Sequence, residues 1–349
     1  MKSPDLDLRS GEILQQVVRV FITLGEPVGS RTLSKTNPKG LSPATIRNIM
    51  ADLEEMGYLY QPHTSAGRVP TDKGYRFYVS TLIEGTALTF SEREAVTALL
   101  KRTEGDVGSL VQQTSRLLSD MTDMVSFVIG PDFRQTVLCH IDFVRLAPRK
   151  ILVVLVSQTG QVINRVTELV EAIDGEELKR CARYLEDEFQ GFTLVEAREY
   201  LLARMREMRE RYDRLVANAL TLGQAAFAVD ITPAEVYLEG TSRMLSKPEF
   251  RSDIERAQQL LSMLEEKSRL VEILSACLEG GGLQIVIGSE AHVPDLKGIS
   301  LIGARYGFGD RDLGSIGIMG PTRMEYAKFI SLVDYIARSL SEAISHTAN

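Results

Sequence analysis

Between Ser10 and Leu24 apolar side chains recur at Ile13, Leu14, Val17, Val18, Phe21 and Ile22, one stripe at helical spacing that Gly25 ends. A short helix, Arg31 to Lys35, follows Gly29-Ser30 and leads into the turn Asn37-Pro38-Lys39-Gly40. Ser42, with Pro43 at the first helical position, opens a third helix that runs to Met56 and stops at Gly57. On it Ile46, Ile49, Met50, Leu53 and Met56 share the buried side, which leaves Ala44, Arg47, Asn48 and Ala51 on the other. Two short strands, Tyr58 to Gln61 and Arg68 to Pro70, flank the loop His63-Thr64-Ser65-Ala66-Gly67. A helix from Thr71 then carries Tyr75, Phe77, Tyr78 and Leu82. Helices followed by a small hairpin predict a winged helix-turn-helix, whose third helix enters the major groove of DNA.

Beyond a linker at Glu84-Gly85-Thr86 the pattern changes. Ser91-Glu92-Arg93-Glu94 is a capping box ahead of Val96, Leu99 and Leu100, and Leu110, Val111, Leu117 and Leu118 mark a second helix. Strands are predicted at 135–145, at Ile151 to Val156 and at Val162 to Leu169, then a helix from Asp174 through Phe189. From Leu201 the apolar positions Leu201, Met205, Met208, Tyr212, Leu215, Ala219 and Leu222 alternate four and three apart among dense Arg and Glu. That period suits a helix built to pack on another. A dimer contact through Leu201, Met205, Met208, Tyr212, Leu215 and Leu222 is expected. A weaker run spans Ile254 to Leu278, with a short strand near Val236 to Leu238 between the two. After Gly280-Gly281-Gly282, strands resume at Leu283 to Ile287, Ile299 to Tyr306 and Ile316 to Met319. A last helix follows, with Tyr326, Ile330, Val333, Ala337, Leu340 and Ile344 on one face. The expected fold is α+β and multidomain: a winged helix in 1–85, an α/β domain from 90–192 and 276–349, and a mainly helical dimerisation insert in 193–275.

Composition agrees with a globular chain of 349 residues, 44% hydrophobic and 25% charged. No window approaches a membrane span, and the start holds two acids within seven residues and no apolar block, so a cytoplasmic protein is expected. The net charge of −7 is unpromising for a DNA binder, but its distribution is not. Residues 1–80 hold ten Lys or Arg against eight Asp or Glu, a balance of +2 that leaves −9 for the rest. Cys139, Cys181 and Cys277 are far apart, offer no metal clasp, and are expected to be reduced core residues. No histidine pairs locally with a nucleophile, and the glycine-rich segments lack a P-loop Lys-Ser/Thr; neither an enzyme nor a cofactor is predicted.

Arg47 has the donors for guanine O6 and N7, and Asn48 those for adenine; with Ala44 they are the expected base contacts. Ser42 and Thr45, at a helix start, suit a phosphate. His63, Thr64, Ser65 and Arg68 are expected to reach backbone or minor groove from the wing, and Lys73 and Arg76 to meet phosphates.

The strings Glu26-Pro27-Val28-Gly29-Ser30-Arg31-Thr32-Leu33-Ser34, Gly40-Leu41-Ser42-Pro43-Ala44-Thr45-Ile46-Arg47-Asn48 and Gln61-Pro62-His63-Thr64-Ser65-Ala66-Gly67-Arg68-Val69-Pro70-Thr71-Asp72-Lys73-Gly74-Tyr75-Arg76 strongly resemble the HrcA family of heat-inducible transcription repressors. So does Ser315-Ile316-Gly317-Ile318-Met319-Gly320-Pro321-Thr322-Arg323-Met324 near the other end. The resemblance implies a GAF-like α/β domain with a dimerising domain inserted into it. It also implies a homodimer that represses chaperone operons through an inverted-repeat operator on double-stranded DNA, is released on heat stress, and is kept competent by the chaperonin GroEL. One departure is Ile49, where many members carry Glu; its place on the buried stripe predicts an effect on packing. A ligand-sensing regulator built on the GAF-like domain stays open, and an enzyme with an appended DNA-binding module is remote.

Overall fold

The computed structural model describes residues 6–64, 66–82, 87–102, 107–130, 137–158, 162–207, 214–227, 236–251, 253–308 and 311–347. Its first unit is a head of four helices and a small hairpin. Helix α1 (Leu8–Leu24) starts where the Asp7 carboxylate accepts the Ser10 N–H at 3.0 Å and ends on Gly25 at φ 72°. Helices α2 (Ser30–Thr36) and α3 (Pro43–Glu55) follow, and the Ser42 hydroxyl caps α3 by accepting the Thr45 N–H at 3.1 Å. Strands β1 (Leu59–Tyr60) and β2 (Val69–Pro70) pair antiparallel, and Thr71 caps helix α4 (Asp72–Ser80). Ile13, Leu14, Val17, Val18, Leu33, Ile46 and Leu53 are buried together, as the 3.6-residue period requires. Ile49 is buried with them, whereas Met56 is 40% exposed because α3 stops at Glu55.

The body is built on one sheet. After helices α5 (Phe90–Arg102) and α6 (Val107–Thr122) comes strand β3 (Val125–Ile129), buried at all five positions; helical or alternating periodicity predicts no strand there. The chain then leaves for β4 (Leu138–Ala147), β5 (Lys150–Ser157), β6 (Val162–Glu168) and helices α7 (Gly175–Phe189), α8 (Leu194–Glu207) and α9 (Arg214–Phe227). It returns with β7 (Val236–Glu239), α10 (Thr241–Leu245), α11 (Pro248–Arg251), α12 (Ile254–Glu265) and α13 (Lys267–Cys277). Strands β8 (Leu283–Ile287), β9 (Ile299–Phe308) and β10 (Arg311–Pro321) and helix α14 (Tyr326–Thr347) complete it. The order β7-β3-β10-β9-β8 is antiparallel at every pairing.

Alternation along these strands divides the core. Ile302, Ile316 and Ile318 face a cluster shared with α5, α6, α14 and the head, while Phe127, Leu301 and Met319 face one made by α10–α13. The sheet is therefore covered on both sides, by different layers.

Strands β4-β5-β6 form a separate three-stranded meander. Its inner face, including Ile141, Phe143, Val153 and Leu155, packs with Leu178, Cys181, Leu185, Phe189, Leu201 and Leu222 into an independent cluster. This corrects the expected division of the chain. The excursion between β3 and β7 holds β4 to α9, not 193–275, and combines a sheet with its helices, because three strands expected in the body belong to it. Conversely α10–α13 are body helices, covering the second face of the main sheet. Cys181 is buried as expected, Cys277 is half-buried, and Cys139 is exposed, which corrects its placement in a core. Among the described residues no helix is long and apolar enough to cross a membrane.

Candidate nucleic-acid interface

Helix α3 is two-sided. Ile46, Ile49, Met50 and Leu53 fix its inner side, so Ala44, Arg47 and Asn48 must point outwards, and all three are exposed. No hydrogen bond or ion pair joins the Arg47 or Asn48 side chain to a described residue. Their donors and acceptors are thus available to an outside partner. At the N-terminal end the Ser42 and Thr45 hydroxyls lie 2.9 Å apart, beside the Ala44 N–H, which the helix leaves unpaired. Such an end attracts anions.

The hairpin loop beside it is tied internally. The Gln61 side-chain amide donates to Thr64 O and Ala66 O, each at 2.9 Å, and Ala66 N donates to His63 O at 2.8 Å. His63 and Thr64 are exposed at the tip; Ser65 lies outside the described residues. Gln61 was not singled out from sequence, though an amide flanking a small-residue loop is a recognisable anchor. The loop's return strand is pinned by reciprocal bonds of 2.9 Å between Val28 and Arg68 backbones. Gly67 makes this approach possible, since a Cβ there would lie 2.5 Å from Val28 C and O.

The remaining predicted cations divide. Lys73 is exposed, donates to Met56 O at 2.8 Å and lies 4.2 Å from the Tyr58 ring centroid, so it sits where α3 leads into the hairpin, with donors to spare. Arg68 is half-buried, with Nε 2.7 Å from a Glu54 oxygen, and fastens the hairpin to α3 instead of projecting from the tip. Arg76 turns away altogether. Its Nε donates to Glu290 Oε1 at 2.7 Å, and its Nη2 engages both Glu290 Oε2 and Ile285 O in the body. The expectation that Arg76 meets a phosphate is corrected for this arrangement, because a partner 214 residues away takes its guanidinium. Arg31 and Lys35 on α2 are exposed cations that the motif reading passed over.

Of the predicted dimer contacts, Leu201 and Leu222 are fully buried within the chain's own second cluster. Met208 and Tyr212 lie outside the described residues, as do the side chains of Met205 and Leu215. The outer face of β4-β5-β6 is different. Val144, Val162 and Val166 are exposed there, with Val144 aligned with Leu152 and Leu152 with Val166 across the strands.

Residues 108–330 match the family model described as HrcA protein C terminal domain. The heat-inducible transcription repressor HrcA of Geobacter sulfurreducens is 43% identical over 340 residues, which is 97% of this chain and 98% of that protein. The protein of the same name from Syntrophobacter fumaroxidans is 40% identical over 341 residues, again 97% and 98% of the two chains. A crystal structure described as a hypothetical protein at 2.2 Å resolution superposes with a TM-score of 0.66 at 23% identity, covering 98% of this chain and all of the other. That last likeness concerns the fold alone.

Proposed function

Since the chain belongs to the HrcA family of heat-inducible transcription repressors, which are regulators and not enzymes, we propose that it represses by seating its N-terminal head on double-stranded DNA as a winged helix-turn-helix. The observation that carries this reading is the outward face of α3, where Ala44, Arg47 and Asn48 stand exposed. Arg47 and Asn48 read base edges with Ala44 beside them, each good bidentate pair discriminating by about 1–3 kcal/mol. Ser42 and Thr45 hold a phosphate at the helix start. His63, Thr64, Ser65 and Lys73 reach the backbone, while Arg68 stiffens the hairpin.

The operator is an inverted repeat and the repressor a homodimer, because one head reads one half-site and two-fold protein symmetry matches two-fold DNA symmetry. We assign the contact between copies to the excursion β4–α9, whose sheet leaves apolar side chains Val144, Val162 and Val166 uncovered. The body, with its five-stranded antiparallel sheet between helical layers, is read as the GAF-like domain. Chaperone operons as targets, release on heat stress, a cytoplasmic setting and the chaperonin GroEL as partner belong to the same proposal and rest on the family.

The test is a binding titration on an inverted repeat against the same half-sites arranged as a direct repeat. Preference for the inverted repeat is expected. Equal affinity for both refutes the symmetric dimer.

A further inference from the structure

The head is joined to the body by more than apolar contact. Asp72 and Arg76 lie one turn apart on one side of α4 and grip the same 3₁₀ turn, Gly288–Ala291. The Asp72 carboxylate accepts from Ser289 N and Ser289 Oγ, both at 2.9 Å. Arg76 engages both oxygens of Glu290 and donates to Ile285 O at 2.6 Å, and Glu290 is itself steadied by the Ile287 N–H at 2.9 Å. The turn approaches closely at Gly288, φ 51°, where a Cβ would lie 2.4 Å from the Asp72 carboxylate.

A second fastening lies at the far end of α1. Arg323 donates from Nε to Glu249 Oε1 at 2.7 Å, and another of its nitrogens reaches Ile22 O in the head at 3.1 Å. Between the two fastenings the rings of Tyr75 and Tyr326 meet at 5.9 Å. Apolar burial supplies adhesion without direction, whereas paired Arg–carboxylate bonds and bonds to backbone carbonyls demand one geometry. Two such directional anchors on different helices, with the Tyr75–Tyr326 contact beside them, restrain the head against swivelling.

We propose that Asp72, Arg76 and Arg323 are positioning residues that fix the angle of the DNA-binding head on the body and thereby the operator spacing the dimer accepts. The spacing half of this rests on the operator reading above; the angle half does not. In a dimer held through the excursion that each body carries, the two α3 helices are separated by whatever angle each head adopts. Each base pair added between half-sites moves them apart by about 3.4 Å and turns them by about 35°. A fixed head tolerates little of that, and a loosened head tolerates more.

The experiment has one arm without DNA and one with it, using the full chain and the variant Arg76→Gln with Arg323→Gln. In the first arm, nitroxides at Lys35→Cys on the head and Arg338→Cys on the body, in a Cys139→Ser background diluted with unlabelled protein, report a distance distribution. A narrow distribution is expected for the otherwise native chain and a broad one for the variant. A cooperative thermal melt retained by the variant separates loss of the latch from loss of folding. In the second arm, operators with spacers of the best length and one or two base pairs either side are titrated. The native chain should lose at least tenfold in affinity at two base pairs, and the variant less than threefold, with single half-site binding unchanged. A variant that keeps a narrow distribution, or a broad one with the native spacing profile, overturns the proposal. A broad variant distribution beside a native protein indifferent to spacing refutes the operator reading and leaves the head-fixing role standing.

Discussion

Replacing Gly67 by Ala adds a single methyl group where the hairpin crosses the segment between α1 and α2. The new Cβ would sit 2.5 Å from the Val28 carbonyl carbon and oxygen and 2.7 Å from Pro27 C, all backbone atoms that no rotamer change can move aside. The hairpin must therefore lift, breaking the two 2.9 Å bonds between Val28 and Arg68. Two such bonds at about 0.5–1.5 kcal/mol each, with overpacking of about 1–3 kcal/mol, give about 2–6 kcal/mol against the docked hairpin. Gly29→Ala is the matched control, since its nearest neighbour is a side-chain oxygen at 4.0 Å. Hydrogen exchange at the Val28 and Arg68 amides is the assay. Even the lower bound of about 2 kcal/mol is roughly a 30-fold faster exchange in Gly67→Ala, and operator affinity should fall although α3 is untouched. Equal protection in the two variants would refute the reasoning that the hairpin is held by this close backbone approach.

Lys73→Ala should weaken binding to all DNA sequences alike and lower the slope of log affinity against log salt by about one, as measured by titration at several salt concentrations. A thiol reagent should modify exposed Cys139 first in the native protein. Burial pushes the Cys181 thiol up to about 11, so at pH 8 it should react only after unfolding. Thr89 holds Glu92 below the ordinary carboxylate range through its N–H and hydroxyl, helped by Lys328, at the start of α5. A lowered folded value means the stabilisation is complete above the ordinary glutamate value and fades as pH falls through the lower one. Glu92→Gln should accordingly show a smaller loss of stability in that acid window than the native chain, in denaturant melts at several pH values.

Much of the head was legible in the sequence because its determinants are local. Ser42, Pro43 and the stripe Ile46, Ile49, Met50 and Leu53 fix both the start and the rotation of α3, and with them the exposure of Arg47 and Asn48. The destination of Arg76 was not legible, because Glu290 is far along the chain and nothing near Arg76 announces it. The heptad spacing from Leu201 to Leu222 misled for a related reason. A 3.5-residue period reports that a helix packs on something, not whether the partner is another chain, and here Leu201 and Leu222 meet α7 and the meander of the same chain. The boundary of the excursion was hidden by β3, whose uninterrupted buried run lacks the alternation that marks a strand with one wet face.

The central claim is that the outward face of α3 reads bases, and a base-by-base substitution profile of the operator, taken for the native chain and for Arg47→Ala, tests it most directly. The native chain should lose about 1–3 kcal/mol, roughly 5- to 150-fold, at the guanine Arg47 reads. Arg47→Ala should become indifferent at that position and keep its discrimination elsewhere. An unchanged profile, with affinity lowered evenly or not at all, would contradict the claim.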